Sequence, residues 1–187
     1  EMEDFEQAFD YLKKALKTNM EIYGEDHAKN AIFHSNIGDA FFLVEEYEQA
    51  IEQYQRCLQI AEQSEGDMNL ELDTIHFYLG DSFLENEEHE QAIEHYEKCL
   101  SIELQAEKNE EEPDSGVAYT YKKLGQAHAL SDEKEKAKEH FLKAREIFLA
   151  TLGPEASETQ DLEEDLVNLN RRSNWKWAIA IVACAVG

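Results

Sequence analysis

The sequence predicts an all-α protein assembled from repeated helical hairpins, and three observations predict it. Only 8 Gly and 2 Pro occur in 187 residues, too little turn chemistry for a β-sandwich or barrel. Large and small apolar residues return at three- and four-residue steps, which is the stripe of a helix rather than the alternation of a strand. The stripes themselves then recur along the chain. With 42% hydrophobic residues, there is enough apolar material for a core.

The repeat is explicit. His34-x2-Ile37-Gly38-x2-Phe41, followed by Tyr47-x2-Ala50-x3-Tyr54-x2-Cys57, returns 42 residues later as His76-x2-Leu79-Gly80-x2-Phe83, then His89-x2-Ala92-x3-Tyr96-x2-Cys99. A third copy follows after 45 residues as Tyr121-x2-Leu124-Gly125-x2-His128, then Ala137-x3-Phe141-x2-Ala144, with the three extra residues placed in the acidic loop 108–116. A half copy, Phe5-x2-Ala8-x3-Leu12-x2-Ala15, precedes them in the same register. Gly in mid-helix costs about 1 kcal/mol relative to Ala, so Gly38, Gly80 and Gly125 at one repeat position imply close helix contact. Ala50, Ala92 and Ala137 do the same for the second helices, and Tyr54, Tyr96 and Phe141 are expected to fill the space between hairpins.

The periodicity predicts helices at 4–23, 28–44, 47–63, 69–86, 89–107, 116–130, 133–151 and 156–170. In the last, Leu162, Leu166 and Leu169 form one apolar stripe, while Glu163 and Asn170 make it more polar than its counterparts, as a solenoid requires in order to stop.

These motifs resemble the tetratricopeptide repeat, whose W-x2-L-G-x2-Y, then A-x3-F pattern is met over residues 1–150 with His34, His76 and Tyr121 in the Trp place. The unit is similar to the 42-residue variety of kinesin light chains, nephrocystin-like proteins and the cell-polarity adaptors of the mitotic spindle. Tyr23-Gly24-Glu25-Asp26-His27 and Leu152-Gly153-Pro154-Glu155 are similar to the L-G-x-D-H-P linker of kinesin light chains, with Ala28 in place of its Pro. Gly is expected to cap one helix there and Asp26 to open the next.

The resemblance implies a right-handed α-solenoid of stacked antiparallel helix pairs. Its parts are 1–27, the second helix of a truncated repeat; 28–68, 69–114 and 115–154, three repeats; 155–170, a capping helix; and 171–187, a tail. It also implies a concave groove for a peptide or protein partner, lined by the first helix of each pair. The residues beside the core stripe there are Ser35, Asn36, Asp39 and Phe42, then Phe77, Tyr78, Asp81 and Leu84, then Lys122, Lys123 and Gln126. Asn36 is similar to a groove asparagine of kinesin-light-chain repeats. Phe42 and Phe77 have a second reading, packing against neighbouring first helices. Lys122 and Lys123 make a basic patch at the third repeat, suiting a ligand with aliphatic anchors and some acidic residues.

Catalysis finds no foothold. His89 and His95 are six residues apart and miss the i, i+4 spacing of a zinc helix; His34, His76 and His128 hold packing positions. Cys57 and Cys99 read as core thiols. No phosphate loop or nucleophile elbow occurs, so no enzyme, cofactor or metal is expected. The acidic stretch 107–114 lacks the ligand order of an EF-hand and reads as a solvated loop. In the Glu133–Glu139 run, Glu135 and Lys138 or Glu139 sit at helical spacing for ordinary surface pairing.

The net charge of −25 repels phosphate backbones, which excludes nucleic-acid binding by the main body. Three widely spaced Cys (Cys57, Cys99, Cys184) form no disulfide framework and fit a reducing, cytoplasmic compartment. No leader is visible after Glu1, and the sequence reads as a piece of a longer chain. The tail reverses the charge: Arg171, Arg172 and Lys176 stand with Trp175 and Trp177 before an uncharged run to Gly187. That is the anchor pattern of a membrane interface, with the repeats on the cytosolic face. The run is shorter than the roughly 20 residues of a span, so it reads as the truncated start of a transmembrane helix, as a cap helix, or as a stretch foreign to the natural chain. Function is thus expected to be a protein-interaction scaffold, with two alternatives: a kinesin-light-chain-like cargo adaptor, or the regulatory arm of a larger enzyme or receptor. Oligomeric state is not legible.

Overall fold

A computed structural model describes residues 2–63, 71–106 and 115–186, with the side chains of 2–6, 8 and 172–186 outside the description. Eight helices are present among these residues and no strand: α1 (Met2–Tyr23), α2 (Lys29–Leu43), α3 (Tyr47–Gln63), α4 (Leu72–Glu85), α5 (His89–Ala106), α6 (Ser115–Leu130), α7 (Lys134–Thr151) and α8 (Ser157–Val186). They fall where the periodicity places them, except that α8 continues beyond the charge boundary at 171. The chain divides into two compact units, Glu1–Cys99 and Leu100–Gly187. Both the 107–114 stretch and most of the 108–116 insertion lie outside the described residues.

In the first unit, α2 and α3 form a hairpin flanked by α1 and α4. Its core is the repeat stripe: Ala50, Tyr54, Cys57 and Ile60 of α3 are fully buried, as are Leu79 of α4 and Ala92 and Tyr96 of α5. In the second unit α6 and α7 pair, and α8 lies against both. Ala137, Phe141, Ala144 and Phe148 of α7 join Leu162 and Leu169 of α8 in one cluster, with Leu166 packed on it.

The glycines explain how each hairpin closes. A Cβ on Gly38 would stand 2.8 Å from Cε1 of Tyr54, and one on Gly80 2.6 Å from Cδ1 of Tyr96; on Gly125 it would collide with the Phe141 ring. The aromatic residues therefore lie on the glycine of their own hairpin, a correction to the expectation that they fill the space between hairpins. A flat ring on a bare backbone brings the two helices together with only that one side chain between them.

Turns within hairpins share one geometry. Glu45, Glu87 and Asp132 occupy one repeat position and adopt φ of 64°, 62° and 64°. The next amide donates back to the carbonyl five residues earlier: Glu46 to Phe41 (3.0 Å), Glu88 to Phe83 (2.8 Å) and Glu133 to His128 (2.8 Å). This closure favours Gly at the left-handed residue, where an L side chain is crowded by about 1–2 kcal/mol. Glu87→Gly is expected to stabilise the first unit by about 0.5–1 kcal/mol after Gly's extra unfolded-state entropy is subtracted. A rise in the urea midpoint at unchanged slope is the confirming measurement.

Between hairpins, Gly24 (φ 92°) and Gly153 (φ 85°) end α1 and α7 as expected. Asp26 does not open α2: its Oδ1 accepts from Nη2 of Arg56 at 2.7 Å. It stands two residues before the N-cap residue, Ala28, which makes no side-chain cap bond. The loop is held instead by buried Asn30, whose amide donates to the carbonyls of Gly24 and Glu25, both at 2.8 Å. Thr159 serves the second loop in the same way, donating to the Gly153 carbonyl at 2.9 Å.

Candidate interaction face

The first-helix residues singled out from sequence divide by unit. On α2 and α4 of the first unit, Asn36 is exposed, Ser35, Phe42, Phe77 and Leu84 are half-buried, and Tyr78 is 37% exposed. Tyr78 connects the set: its ring stacks on Tyr54 (6.2 Å between centroids, 10° between planes) and meets Phe42 at 5.9 Å. Phe42 also packs edge-on against Tyr47 at 5.6 Å. Phe42 thus makes the contact between neighbouring first helices, whereas Phe77 meets Tyr96 of α5 at 5.8 Å.

The two acidic positions point inward. Asp39 accepts a hydrogen bond from the Tyr54 hydroxyl at 2.6 Å, and Asp81, only 8% exposed, accepts one from Tyr96 at 2.5 Å. Burial raises Asp39 above the usual carboxylate range, and the Tyr54 bond partly opposes it. Burial, together with the facing carboxylate, drives both tyrosine hydroxyls far above their ordinary value. In the third copy the same two positions are Gln126 and Phe141, so the acid and the hydroxyl disappear together. The fifteen-residue Asp/Tyr spacing, Asp39 to Tyr54 and Asp81 to Tyr96, is readable in the sequence. Tyr96→Phe is expected to cost about 1.5–3 kcal/mol, the loss of a bond to a buried carboxylate. Pairing it with Asp81→Leu should cost less than the sum of the two single changes in a urea-denaturation cycle.

On α6 of the second unit, Lys122, Lys123 and Gln126 are half-buried. An acidic stripe on α8 faces them. Asp161 lies 4.0 Å from the Lys122 ammonium, Asp165 accepts from Gln126 at 3.2 Å, and Glu158 accepts from the Tyr119 hydroxyl at 3.0 Å. The positive charge expected of this patch is therefore partly neutralised within the unit. Arg145 pairs with Glu163, which keeps that α8 residue at the surface.

Five of the seven histidines pack within the hairpins. Nδ1 of His34 meets Oε1 of Gln53 at 2.9 Å, and Nδ1 of His76 meets Nδ1 of His95 at 3.0 Å. His128 stacks on His140 at 5.2 Å and bonds Glu133 at 2.6 Å. Burial pushes His34 and His76 below the usual imidazole value, and His95 and His140 down to about 4. Gln53, His95 and His140 share one repeat position, a regularity sequence reasoning missed. Cys57 and Cys99 are buried thiols, and burial pushes Cys57 up to about 12, so Cys57 forms no thiolate at neutral pH. Among the described residues no three His, Cys, Asp or Glu could hold a metal ion. Surface pairing near Glu133 runs through Lys136 and, further on, between Glu139 and Lys143, rather than through Glu135 and Lys138.

Arg171 is exposed; the side chains of Arg172, Trp175, Lys176 and Trp177 lie outside the described residues. Among the described residues no helix is long and apolar enough to cross a membrane.

At the level of sequence, no curated protein matches the chain. Solved structures do. A Podosopora anserina kinesin-light-chain candidate of nearly identical TPR-like repeats superposes with a TM-score of 0.74 at 13% identity, covering 97% of this chain and 84% of its own. BtubC (BKLC) from P. vanneervenii gives 0.67 at 18% identity, with 90% and 66% covered. Apo RapI gives 0.72 at 16% identity over 97% of this chain, which spans about half (47%) of RapI. At such identities the likeness establishes the fold, a tetratricopeptide-type α-solenoid. Family membership rests on sequence: the family profile described as Tetratricopeptide repeat matches residues 1–63, 30–105 and 71–150. Those overlapping spans cover the ring-on-glycine contacts and the turns within hairpins described above, and the chain belongs to the tetratricopeptide repeat family.

Proposed function

We propose that the protein is a non-enzymatic scaffold that holds a peptide or protein partner on its first-helix faces. Tetratricopeptide folds typically serve as interaction scaffolds and are generally not enzymes. The observation that carries the reading is Tyr78, more than a third exposed between Phe42 and Tyr54, with exposed Asn36 at the equivalent position of α2. Large amphipathic rings at a partly open surface are typical anchors of protein recognition. Among the described side chains the thiols of Cys57 and Cys99 are buried, and His34, His76, His95 and His128 are held by one another or by carboxamide and carboxylate groups, which leaves little that is reactive to compete with this reading.

Peptide display on the whole chain, followed by fluorescence anisotropy of the selected sequences, tests it. Asn36→Trp, a bulky change at an exposed helix position, should weaken selected peptides at least about tenfold, which is about 1.4 kcal/mol. Gln55→Trp on the exposed side of α3 should leave them unchanged. Equal binding by both variants, or no selected peptide, would remove the assignment. Cytosolic placement at a membrane surface, through the basic and Trp-flanked tail at 171–187, belongs to the same proposal. Resistance of the full-length parent to carbonate extraction supports it, and release into the wash discards it.

A further inference from the structure

The first unit's face has a chemistry that the basic patch at Lys122 and Lys123 does not share. Tyr47, Phe42 and Tyr78 form a run of half-open rings, with Phe42 at its centre, 5.6 Å and 5.9 Å from its neighbours. Carboxylates border that run. Asp39 bonds Tyr54, on which Tyr78 stacks, and the charges of Glu85 and Glu45, after burial, push the Tyr47 hydroxyl above its ordinary value. Of the cations on these three helices, α2 carries Lys29 at its first residue, α3 carries Arg56, which is paired with Asp26, and α4 carries none. No ion pair among the described residues involves Asp39, Glu45 or Glu85. Ring faces carry negative electrostatic potential, and carboxylates beside them add to it. A partner's anionic side chain would be repelled by the ring faces and by these carboxylates, whereas a guanidinium or ammonium would be attracted by both.

From this complementarity we infer that the Tyr47/Phe42/Tyr78 face of α2, α3 and α4 receives a Lys- or Arg-bearing segment of a partner protein, with one cationic side chain seated on the rings beside Asp39. The inference rests on the proposed scaffold role and names the partner's chemistry at the first unit. It departs from the acidic ligand that the Lys122 and Lys123 patch implied.

The test must separate a seat from the general pull of a chain with net charge −25. The probe is a short fluorescein-labelled Arg/Leu/Ser peptide, with counterparts carrying citrulline or Glu in place of Arg, titrated by anisotropy at about 0.15 M salt, where distant charges are screened. The Arg peptide should bind at least about tenfold tighter than the citrulline peptide. Phe42→Leu and Tyr78→Leu keep apolar bulk and net charge but remove the ring faces, and each should weaken the Arg peptide about fivefold or more. Melting curves for both variants confirm that they fold. Arg-peptide binding that is indifferent to both leucine substitutions overturns the inference, as does equal or tighter binding of the citrulline peptide. Tighter binding of the Glu peptide, lost in the same variants, overturns the cationic seat while leaving the scaffold role intact. Binding of none of the three overturns the seat; the scaffold role falls only if display also selects no peptide.

Discussion

Gly80→Ala is expected to destabilise the first unit by about 2 kcal/mol, even though Ala is the better helix former. Two effects oppose each other. Propensity favours Ala by about 1 kcal/mol in a helix interior. Against it, the new Cβ would meet Cδ1, Cε1 and Cζ of Tyr96 at 2.6, 2.6 and 2.9 Å. Overpacking costs about 1–3 kcal/mol where neighbours can adjust. Here the ring is fully buried and its hydroxyl is bonded to Asp81 at 2.5 Å, so adjustment is small and the cost lies at the upper end. A fall in Tm of roughly 4–8 °C follows for a chain of this size. Tyr96→Leu placed in the Gly80→Ala background should recover part of the loss, since a leucine can turn away from the new methyl. A Tm unchanged or raised by Gly80→Ala would mean that the glycine is not held by this contact.

Acid is expected to weaken the fold between pH 6.5 and 4, through imidazoles held neutral in the core. His95 and His140 fall to about 4 from an unperturbed 6.5, first because of burial and then because of the facing histidine, His76 and His128 respectively. Lys98 lowers His95 further while Glu94 opposes it; Lys143 and Lys136 lower His140 while Glu139 opposes them. Because the folded value lies below the unfolded one, the unfolded chain binds more protons in this window. The associated stability is fully present above about pH 6.5 and is lost as pH falls toward 4. At about 1.36 kcal/mol per pH unit the ceiling is about 3.4 kcal/mol for each ring, and solvent at these half-buried sites reduces that to roughly 1–2 kcal/mol each. His34 and His76 add in the same direction. Asp39, raised by burial, works the opposite way but only at the acid edge, near the carboxylate range. Urea midpoints at pH 7.5 and about 5 measure the loss. His95→Gln should flatten the first unit's share, since Gln53 at the equivalent position already bonds His34. A midpoint independent of pH across this window would contradict the assignment.

The hairpins were legible because their cause is local and periodic. Ala50, Tyr54 and Cys57 lie on one helical stripe whatever they touch, and repetition at 42 residues makes chance coincidence negligible. Positions with alternative partners were less legible. Asp39 and Asp81 stand beside the core stripe, and angle alone assigns them to the groove, yet hydroxyls on the next helix draw them inward. Lys122 looked like a free cation because its partner, Asp161, is 39 residues away on a helix whose acidic stripe has meaning only once packed. Asp26 has the composition of a helix opener, and its bond to Arg56 depends on where α3 lies.

Composition and period by themselves determined the all-α class, the hairpin unit, the glycine and aromatic positions and the absence of a catalytic motif, because each follows from side-chain spacing along a single helix. Tertiary structure alone decided that the aromatics rest on their own hairpin's glycine, that the acidic residues turn onto tyrosine hydroxyls, and that α8 draws off positive charge from α6. Those outcomes depend on distances between helices remote in sequence, where hydrogen-bond reach and ring volume select one partner among several that spacing allows.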